Sequence, residues 1–331
     1  MDILSLSDET RVELMQELAD AARLHQDFDT VSSYLYKAFS CLPAFALQRI
    51  LQFGRSPSHP GVMLVEGLPL DANLPDTPTN RESQNGPVAE IAEKTLLGLA
   101  QLIGTPVGYL SEKEGNLVHH VVPMPGGEYT QSNRGSRVFL NYHNDSMYDP
   151  SGIFNSHNPD FLLLLCLRSD AEGEAKTMYA DARHICAMLT EEQIRVLREP
   201  RFKMAAPSNY TLLIQNADPS QKIWSRPVPI LSGPLQTPEI YMAANGVLPL
   251  DDEAEQTLQT LRAVCHEVGH RHAVHLTPGQ ALLINNRKGV HARTEFTAKY
   301  DGNDRWLLRA NIRTGLWSIR DRATEDALVF A

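Results

Sequence analysis

The sequence predicts a mainly β fold, a sandwich or barrel-like roll with added helices. Short β-rich runs separated by turn residues fill the chain from Asn116 onward, whereas helical spacing of apolar residues dominates before it. Strands and helices do not alternate and no GxGxxG motif occurs, which argues against a nucleotide-binding α/β fold. We expect one domain over residues 1–331, with a largely helical part at 1–110 packed on a β-roll core at 116–315.

The first third of the chain carries three helical patterns. They span residues 12–21, 30–53 and 87–103. Ser7 and Asp8 can cap the first, Pro43 interrupts the second and Gly104 ends the third. A β-rich run at 61–68 and a polar loop at 71–85 separate the second pattern from the third.

The C-terminal two-thirds of the chain contains short runs that are rich in β-branched, aromatic or other apolar residues. These runs lie at 117–122, 137–143, 160–168, 177–182, 210–215, 227–231, 239–243, 272–276, 281–286 and 306–314. Turn residues separate them, which is typical of strands in a β-roll. Two helical patterns, at about 190–199 and 251–268, interrupt the series.

Composition excludes several classes of protein. The formal net charge is −10 and no cluster of basic residues occurs, so nucleic acid is not an expected partner. The longest apolar run, Phe161 to Leu167, is far too short to cross a membrane, and the N-terminus lacks the pattern of a signal peptide. The four cysteines are widely separated and form no CxxC pair. These features predict a reduced, cytoplasmic protein with no membrane partner.

A candidate metal site begins at the end of the strand-like run 137–143. His143 and Asp145 stand at positions i and i+2, and side chains two apart on an extended chain point the same way. His291, at the start of another strand-like stretch, can supply a third ligand. Two imidazoles and one carboxylate on one face of a metal leave three positions open, which is the pattern of non-haem iron(II) oxygenases. An H-x-D motif alone is weak evidence, because the chain has 12 histidines.

The region after His291 strengthens this hypothesis. Arg305 follows fourteen residues later, beyond a turn at 301–304. A strand leaving His291 and a strand returning from that turn would bring Arg305 back beside the metal. A guanidinium there can bind the distal carboxylate of an oxoacid that chelates iron at its other end. Arg309 shares the same strand face.

With these residues identified, the chain resembles the clavaminate synthase-like branch of the iron(II)/2-oxoglutarate oxygenases, which includes hydroxylases of free amino acids. The resemblance is strongest from 116 to 313 and extends more weakly to 61–69. The matching stretches, in chain order, are LVHHVVP, QSNRGS, His143-x-Asp145, His157, PDFLLLLCLRSD, EGEAKTMYAD, TPGQALLINNRKGVHART and DGNDRWLLR.

The resemblance implies a double-stranded β-helix, a relative of the jelly roll, with added helices. It implies His143, Asp145 and His291 as ligands of Fe(II). It also implies that Arg305 and Thr177 bind 2-oxoglutarate. Arg309 then corresponds to an arginine that binds the α-carboxylate of the substrate, and Gln131 and Ser132 match a polar stretch near the substrate.

The implied reaction is an oxidation that consumes O2 and 2-oxoglutarate and releases succinate and CO2. The implied substrate is a small amino-acid-like molecule, either free or attached to a carrier. Hydroxylation and desaturation follow the same hydrogen abstraction, so the sequence leaves both open.

Two residue patterns depart from those of many relatives. Asp145 stands where many relatives have Glu, but a retained carboxylate argues against a halogenase. Arginine-hydroxylating relatives hold the guanidinium with an acidic pair in a strand that aligns with 239–245, and EIYMAAN has no such pair. A buried cation without a carboxylate is costly. We therefore expect a neutral or acidic substrate side chain, unless Glu112 or Asp251 supplies the charge.

Two other functions remain open. His266, Glu267 and His270 fit the H-E-x-x-H pattern of zinc hydrolases, in which both histidines lie on one helix. Gly269 is a poor helix residue, so we expect this motif to straddle a helix end, where both imidazoles need not share a face. A non-catalytic β-roll binding protein is the second alternative.

Overall fold

The computed structural model describes residues 1–20, 28–79, 89–132, 134–147, 157–207, 222–326 and 328–331. The α-helices within these residues are α1 Asp8–Asp20, α2 Phe28–Phe39, α3 Ala44–Arg55, α4 Glu90–Ile103, α5 Ala182–Cys186, α6 Glu191–Leu197 and α7 Asp252–His270. The strands are β1 Asp2–Ser5, β2 Val62–Glu66, β3 Thr105–Tyr109, β4 His119–Val121, β5 Leu140–His143, β6 Phe161–Arg168, β7 Thr177–Asp181, β8 Phe202–Met204, β9 Leu231–Ser232, β10 Glu239–Ile240, β11 Val247–Pro249, β12 Ala281–Asn285, β13 Gly289–Arg293, β14 Trp306–Arg313 and β15 Val329–Phe330.

A large mixed sheet forms the centre of the molecule. Its strands follow the order β1-β2-β12-β6-β14-β3-β15, and β4 also pairs with β14. The β1–β2 and β3–β15 pairs are parallel, and the other pairs are antiparallel. β12, β6 and β14 lie adjacent in the middle, so most of their side chains are buried on both faces. This explains why β6 is an almost uninterrupted apolar run.

The two faces of the large sheet pack against different partners. Leu163 and Leu165 of β6 join the core formed with α1 to α4. Leu162, Leu164 and Cys166 alternate with them and face the opposite way, into a second core. The first core is the largest apolar cluster among the described residues and attaches the N-terminal helices to the sheet.

A small sheet of β5, β13 and β7 covers the second face of the large sheet. Along β13, Val290 and Ala292 point outward into a core with α7, whereas His291 and Arg293 point inward. The order of layers is therefore helices, large sheet, small sheet and α7. The inward residues of the small sheet face the large sheet across a cavity.

The predicted helices are mostly confirmed. α2 and α3 flank Pro43 as expected, and α4 ends at Gly104. Gly104 adopts an extended conformation rather than a left-handed one, and it is required because a Cβ atom would lie 2.5 Å from the carbonyl oxygen of Arg313. None of the helices in the described residues is long and apolar enough to cross a lipid bilayer.

Several strand predictions need correction. Residues 272–276 form no strand, and their backbone pairs with the small sheet through a bridge from Val274 to Thr177. Of 227–231 and 239–243, β9 at the end of the first and β10 at the start of the second form strands, and Val228 adds an isolated bridge to Phe202. The run at 210–215 lies outside the described residues. β1, β3, β8, β11 and β15 were not predicted, because each is short and lacks a clear alternating pattern.

The expected hairpin between the strands of His291 and Arg305 is wrong. β13 pairs with β5 and β7 in the small sheet, whereas β14 pairs with β6, β3 and β4 in the large sheet. His291 also lies in the middle of its strand rather than at its start. Arg305 precedes β14 and reaches the cavity from the facing sheet.

The expected helix end within the H-E-x-x-H motif is also wrong. α7 continues to His270, so both histidines lie in the helix, and their rings stack 6.3 Å apart with an interplanar angle of 7°. Gly269 occurs inside the helix because α7 packs closely against Tyr142 at this position. A Cβ atom there would lie 2.1 Å from the hydroxyl of Tyr142.

Candidate metal centre

Two neighbouring strands place two imidazoles side by side. His143 ends β5 and His291 lies directly opposite it in β13, with ring centroids 4.2 Å apart. Opposed residues in a ladder project from the same face of the sheet. Asp145 follows just beyond β5, and its Oδ1 atom lies 3.5 Å from Nε2 of His143 and 3.7 Å from Nε2 of His291.

The donor set of these three residues fits ferrous iron. Within the described residues, they form the one group of three or more potential ligands whose atoms all lie within 4.8 Å of one another. Two imidazole nitrogens and one carboxylate oxygen match the facial arrangement of non-haem iron(II) sites. Burial and the neighbouring His143 lower the pKa of His291 to about 3, so its ring is neutral at physiological pH. A neutral imidazole is the form that binds a metal.

Backbone and amide groups orient the candidate ligands. Nδ1 of His143 lies 2.7 Å from the carbonyl oxygen of Asn141, which can only accept, so Nδ1 carries the proton and Nε2 is free to bind a metal. The side chain of Asn286 accepts from the backbone N–H of Asp145 and donates to its carbonyl oxygen. Asn144 donates to the backbone carbonyls of Asn286 and Gly289, which connects the segment 143–145 to the turn before β13.

Arg309 holds the outer oxygen of Asp145. Its Nη1 donates to Oδ2 at 2.6 Å, while Oδ1 faces the imidazoles. Burial alone would raise the pKa of Asp145, but the charge of Arg309 holds the pKa well below its usual range. The carboxylate is therefore ionised and has one oxygen directed toward the metal position.

The cavity around this centre has a volume of about 640 Å³ and lies between the large and small sheets. Every site residue predicted from the sequence lines it: His143, Asp145, His291, Arg305, Thr177, Arg309, Gln131 and Ser132. His266, Glu267 and His270 do not line it, and all three are exposed on α7. The structure thus separates the two candidate metal motifs.

Arg305 is a buried cation that forms no salt bridge among the described residues, although the charge of Asp170 acts on it. Its side chain lines the cavity and its guanidinium carbon lies 5.9 Å from the ring centroid of Phe296. Burial lowers its pKa, although an arginine remains charged at physiological pH. Thr177, on β7, presents a buried hydroxyl to the same cavity. Together they can bind a carboxylate.

Arg309 differs from Arg305 because its charge is already paired. Besides Asp145 it contacts Glu112 and Nδ1 of His119. Glu112 in turn accepts from the side chain of Asn311, and the charge of Arg309 holds the pKa of Glu112 below its ordinary value despite burial. Sequence reasoning had not connected Glu112 or His119 with Arg309.

Gln131 and Ser132 line the cavity, but their polar atoms have local partners. The side-chain amide of Gln131 donates to Phe139 and accepts from the backbone of Asn141, so it holds the start of β5. The hydroxyl of Ser132 lies 2.9 Å from that of Thr130. Their assignment to the substrate stays a prediction.

Arg293 was not predicted, although it stands two residues after His291 and only 6% of its surface is exposed. It donates to the carbonyl oxygens of Gly135 and Val138, in the segment that precedes β5. Burial and the nearby Arg305 lower its pKa to about 9. The alternation of β13 could have identified it, because Arg293 shares the inward face of His291.

A protein-family model for "Taurine catabolism dioxygenase TauD, TfdA family" matches residues 61–311. The chain belongs to the TauD/TfdA dioxygenase family. It is 33% identical to an L-asparagine oxygenase of Streptomyces coelicolor, over 97% of this chain and 93% of that protein. It is 28% identical to clavaminate synthase 2 of Streptomyces clavuligerus, over 79% and 77% of the two chains.

Solved structures of this family share the fold. An asparagine oxygenase in complex with Fe(II), 2S,3S-3-hydroxyasparagine and succinate superposes with a TM-score of 0.84 and 31% identity, over 100% of this chain and 99% of that one. A non-heme iron oxygenase, OrfP, in complex with Fe and alpha-ketoglutaric acid gives 0.82 and 25%, over 99% and 100%. The prediction of an iron(II)- and 2-oxoglutarate-dependent dioxygenase of the clavaminate synthase-like kind is thereby confirmed.

Proposed function

We propose that this dioxygenase hydroxylates a small, free amino acid and that His143, Asp145 and His291 hold its iron. The observation that carries the proposal is the convergence of the two Nε2 atoms and Oδ1 in a cavity that also contains Arg305. Bound iron and 2-oxoglutarate supply the oxidising chemistry, in which O2 is consumed and the oxoacid becomes succinate and CO2. The chain itself binds, orients and shields the reactants.

We assign the 2-oxoglutarate position to Arg305 and Thr177. A dicarboxylic oxoacid that chelates a metal at one end presents a free carboxylate at the other. Arg305 suits that carboxylate, because its buried guanidinium forms no salt bridge among the described residues. The hydroxyl of Thr177 can donate to the same group. Both side chains line the cavity that contains the three candidate metal ligands.

The head group of the substrate is assigned to Arg309 and Glu112. An α-amino acid carries a carboxylate and an ammonium on adjacent atoms, and this pair offers a guanidinium and a carboxylate in contact with each other. The substrate would replace part of that contact, so neither buried charge is left uncompensated. Gln131 and Ser132 are assigned to the same part of the cavity, where their hydrogen bonds stabilise the loop before β5.

The substrate side chain is proposed to be neutral or acidic. The segment aligned with the acidic pair of arginine hydroxylases contributes Ala243, Ala244 and Asn245 to the cavity. None of these can neutralise a guanidinium or an ammonium. The relatives include enzymes named for asparagine, lysine and ornithine or arginine, so the family alone does not decide this point.

We also propose that the facing sheets constitute a double-stranded β-helix. The large and small sheets enclose the site between them, and their central strands pair antiparallel. The likeness to iron oxygenase structures supports this assignment.

The test is a panel of amino acids loaded anaerobically with Fe(II), 2-oxoglutarate and protein, and then exposed to O2. We expect asparagine, glutamine, aspartate or glutamate to increase succinate formation more than arginine or lysine does. Product mass distinguishes hydroxylation, which adds one oxygen atom, from desaturation, which removes two hydrogens. A clear preference for arginine or lysine would contradict the side-chain assignment, and no response to any amino acid would contradict the substrate class.

The H-E-x-x-H motif provides the matched control. His266 is exposed on α7 and lies outside the cavity, so His266→Ala should leave amino-acid-dependent succinate formation unchanged. Loss of that activity, together with stoichiometric zinc in the wild-type protein, would favour a zinc hydrolase instead. Succinate formation without any amino acid would already exclude a non-catalytic binding protein.

A further inference from the structure

His119 is the third side chain that contacts Arg309, and it is the only uncharged one of the three. It lies directly opposite Arg309 in the β4–β14 ladder, so both side chains project from the same face of the large sheet. One of the Nη2 hydrogens of Arg309 points at Nδ1 of His119, at a distance of 2.8 Å. The imidazole is 1% exposed, which prevents water from replacing it as the acceptor.

The protonation of His119 follows from its second contact. Nε2 lies 2.8 Å from the carbonyl oxygen of Asn116, and a carbonyl oxygen can only accept. Nε2 therefore carries the proton, and Nδ1 offers a lone pair to Arg309. Burial lowers the pKa of His119 to about 4, despite the opposing effect of Glu112, so the ring stays neutral at physiological pH.

A neutral acceptor suits a guanidinium that has to receive another anion. Asp145 and Glu112 already contribute two negative charges around Arg309. A third carboxylate would repel the carboxylate of a substrate. An imidazole nitrogen instead orients the planar guanidinium of Arg309 without adding negative charge. The backbone carbonyl of Asn116 thus orients the ring of His119, and the ring in turn orients the guanidinium of Arg309.

We propose that His119 is a positioning residue, which holds the guanidinium of Arg309 in the orientation that binds the substrate's carboxylate and the outer oxygen of Asp145. This inference rests on the proposed assignment of Arg309 to the substrate. It predicts that the loss of the Nδ1 acceptor weakens the binding of the amino acid far more than the binding of 2-oxoglutarate, which we assign to Arg305.

The experiment compares His119→Asn with His119→Leu, two side chains of similar shape. The Oδ1 atom of asparagine can replace the Nδ1 acceptor, whereas leucine has no acceptor. With L-asparagine as the probe, we expect His119→Leu to raise its KM by about ten- to a hundredfold, with a smaller change in kcat and in the KM for 2-oxoglutarate. His119→Asn should recover most of this loss. Equal behaviour of the two variants, or an unchanged KM for the probe in His119→Leu, would overturn the proposal.

A second measurement needs no variant. Nitrogen NMR of the histidine-labelled wild-type protein should show His119 as a neutral ring protonated at Nε2 between pH 6 and pH 8. A ring protonated at Nδ1, or on both nitrogens, would overturn the proposal even if the leucine variant failed to fold. If wild-type protein forms no succinate in response to any amino acid, the proposed function fails instead, and the NMR result still decides the orientation of His119.

Discussion

Asp145 shows how two chemical demands meet at a single side chain. One carboxylate oxygen is directed at the imidazoles of His143 and His291, and the other accepts from Arg309. Residue types and spacing identified the three candidate ligands, because two of them lie in one extended segment. The spacing did not reveal the second contact, since Arg309 belongs to the facing sheet and was expected on the returning arm of a hairpin.

The first residue-scale prediction concerns the metal. His291→Ala removes one of three candidate ligands, so ferrous iron should no longer bind at stoichiometric amounts and succinate formation should stop. Iron content after gel filtration and calorimetric titration with Mn(II) measure this loss. His184→Ala, at an exposed histidine on α5, is the control and should behave like wild type. Iron-dependent turnover retained in His291→Ala would show that the ligand set is different.

The second residue-scale prediction separates the two arginines. Loss of one partner of a buried ion pair costs about 3–5 kcal/mol, or at least a hundredfold in affinity. Arg305→Ala should therefore raise the KM for 2-oxoglutarate by at least that factor, with little change for the amino acid. Arg309→Ala should weaken the binding of the amino acid. It should also weaken the binding of the metal, because Asp145 loses the donor to its outer oxygen. If both variants altered only the amino-acid requirement, the cosubstrate would bind elsewhere.

At the scale of elements, the sequence identified long periodic segments better than the short ones. The helices around Pro43 and the continuous apolar strand β6 follow from proline geometry and from burial on both faces. β9 and β10 are only two residues long, so their flanking apolar residues pack without forming a ladder. Such segments were overpredicted because hydrophobicity alone does not specify whether a backbone finds a pairing partner.

Gly269 gives an element-scale prediction. Replacement by alanine raises helix propensity by about 1 kcal/mol, but its Cβ atom would overlap Tyr142, which directly precedes His143. Overpacking of this kind typically costs about 1–3 kcal/mol. Gly269→Ala should therefore lower the free energy of unfolding or leave it unchanged. Urea titration measures it, with His270→Ala as an exposed control on the same helix. A clear gain in stability for Gly269→Ala would show that α7 and β5 can separate without cost.

At the scale of the whole molecule, the sequence predicted a β-roll with a helical N-terminal part but not the division of strands between sheets. Arg305 and His291 were expected in one hairpin, yet they approach the cavity from opposite sheets. Long-range pairing depends on which apolar faces meet, and β6 and β12 are apolar on both faces. A single sequence with such strands is compatible with several sheet orders, so the local pattern cannot choose among them.

The last prediction tests our proposal that residues 1–331 form one cooperative domain. Three cysteines report on two different cores, since Cys166 packs between the sheets whereas Cys186 and Cys265 pack around α7. Burial raises the pKa of Cys166 and Cys265 to about 12, so these thiols are shielded and protonated in the native protein at pH 8. They can react with a thiol reagent only after their core opens.

In increasing urea, labelling of the three thiols followed by mass spectrometry should show one common midpoint, because the small sheet contributes to both cores. Cys41 is only half-buried and serves as the internal reference for native-state labelling. Saturating Mn(II) and 2-oxoglutarate, each at about a hundred times its dissociation constant, should stabilise the protein by about 2.7 kcal/mol per bound ligand and shift all three midpoints together. Separate midpoints for Cys166 and Cys265, or a shift confined to Cys166, would mean that the α7 layer unfolds as an independent unit.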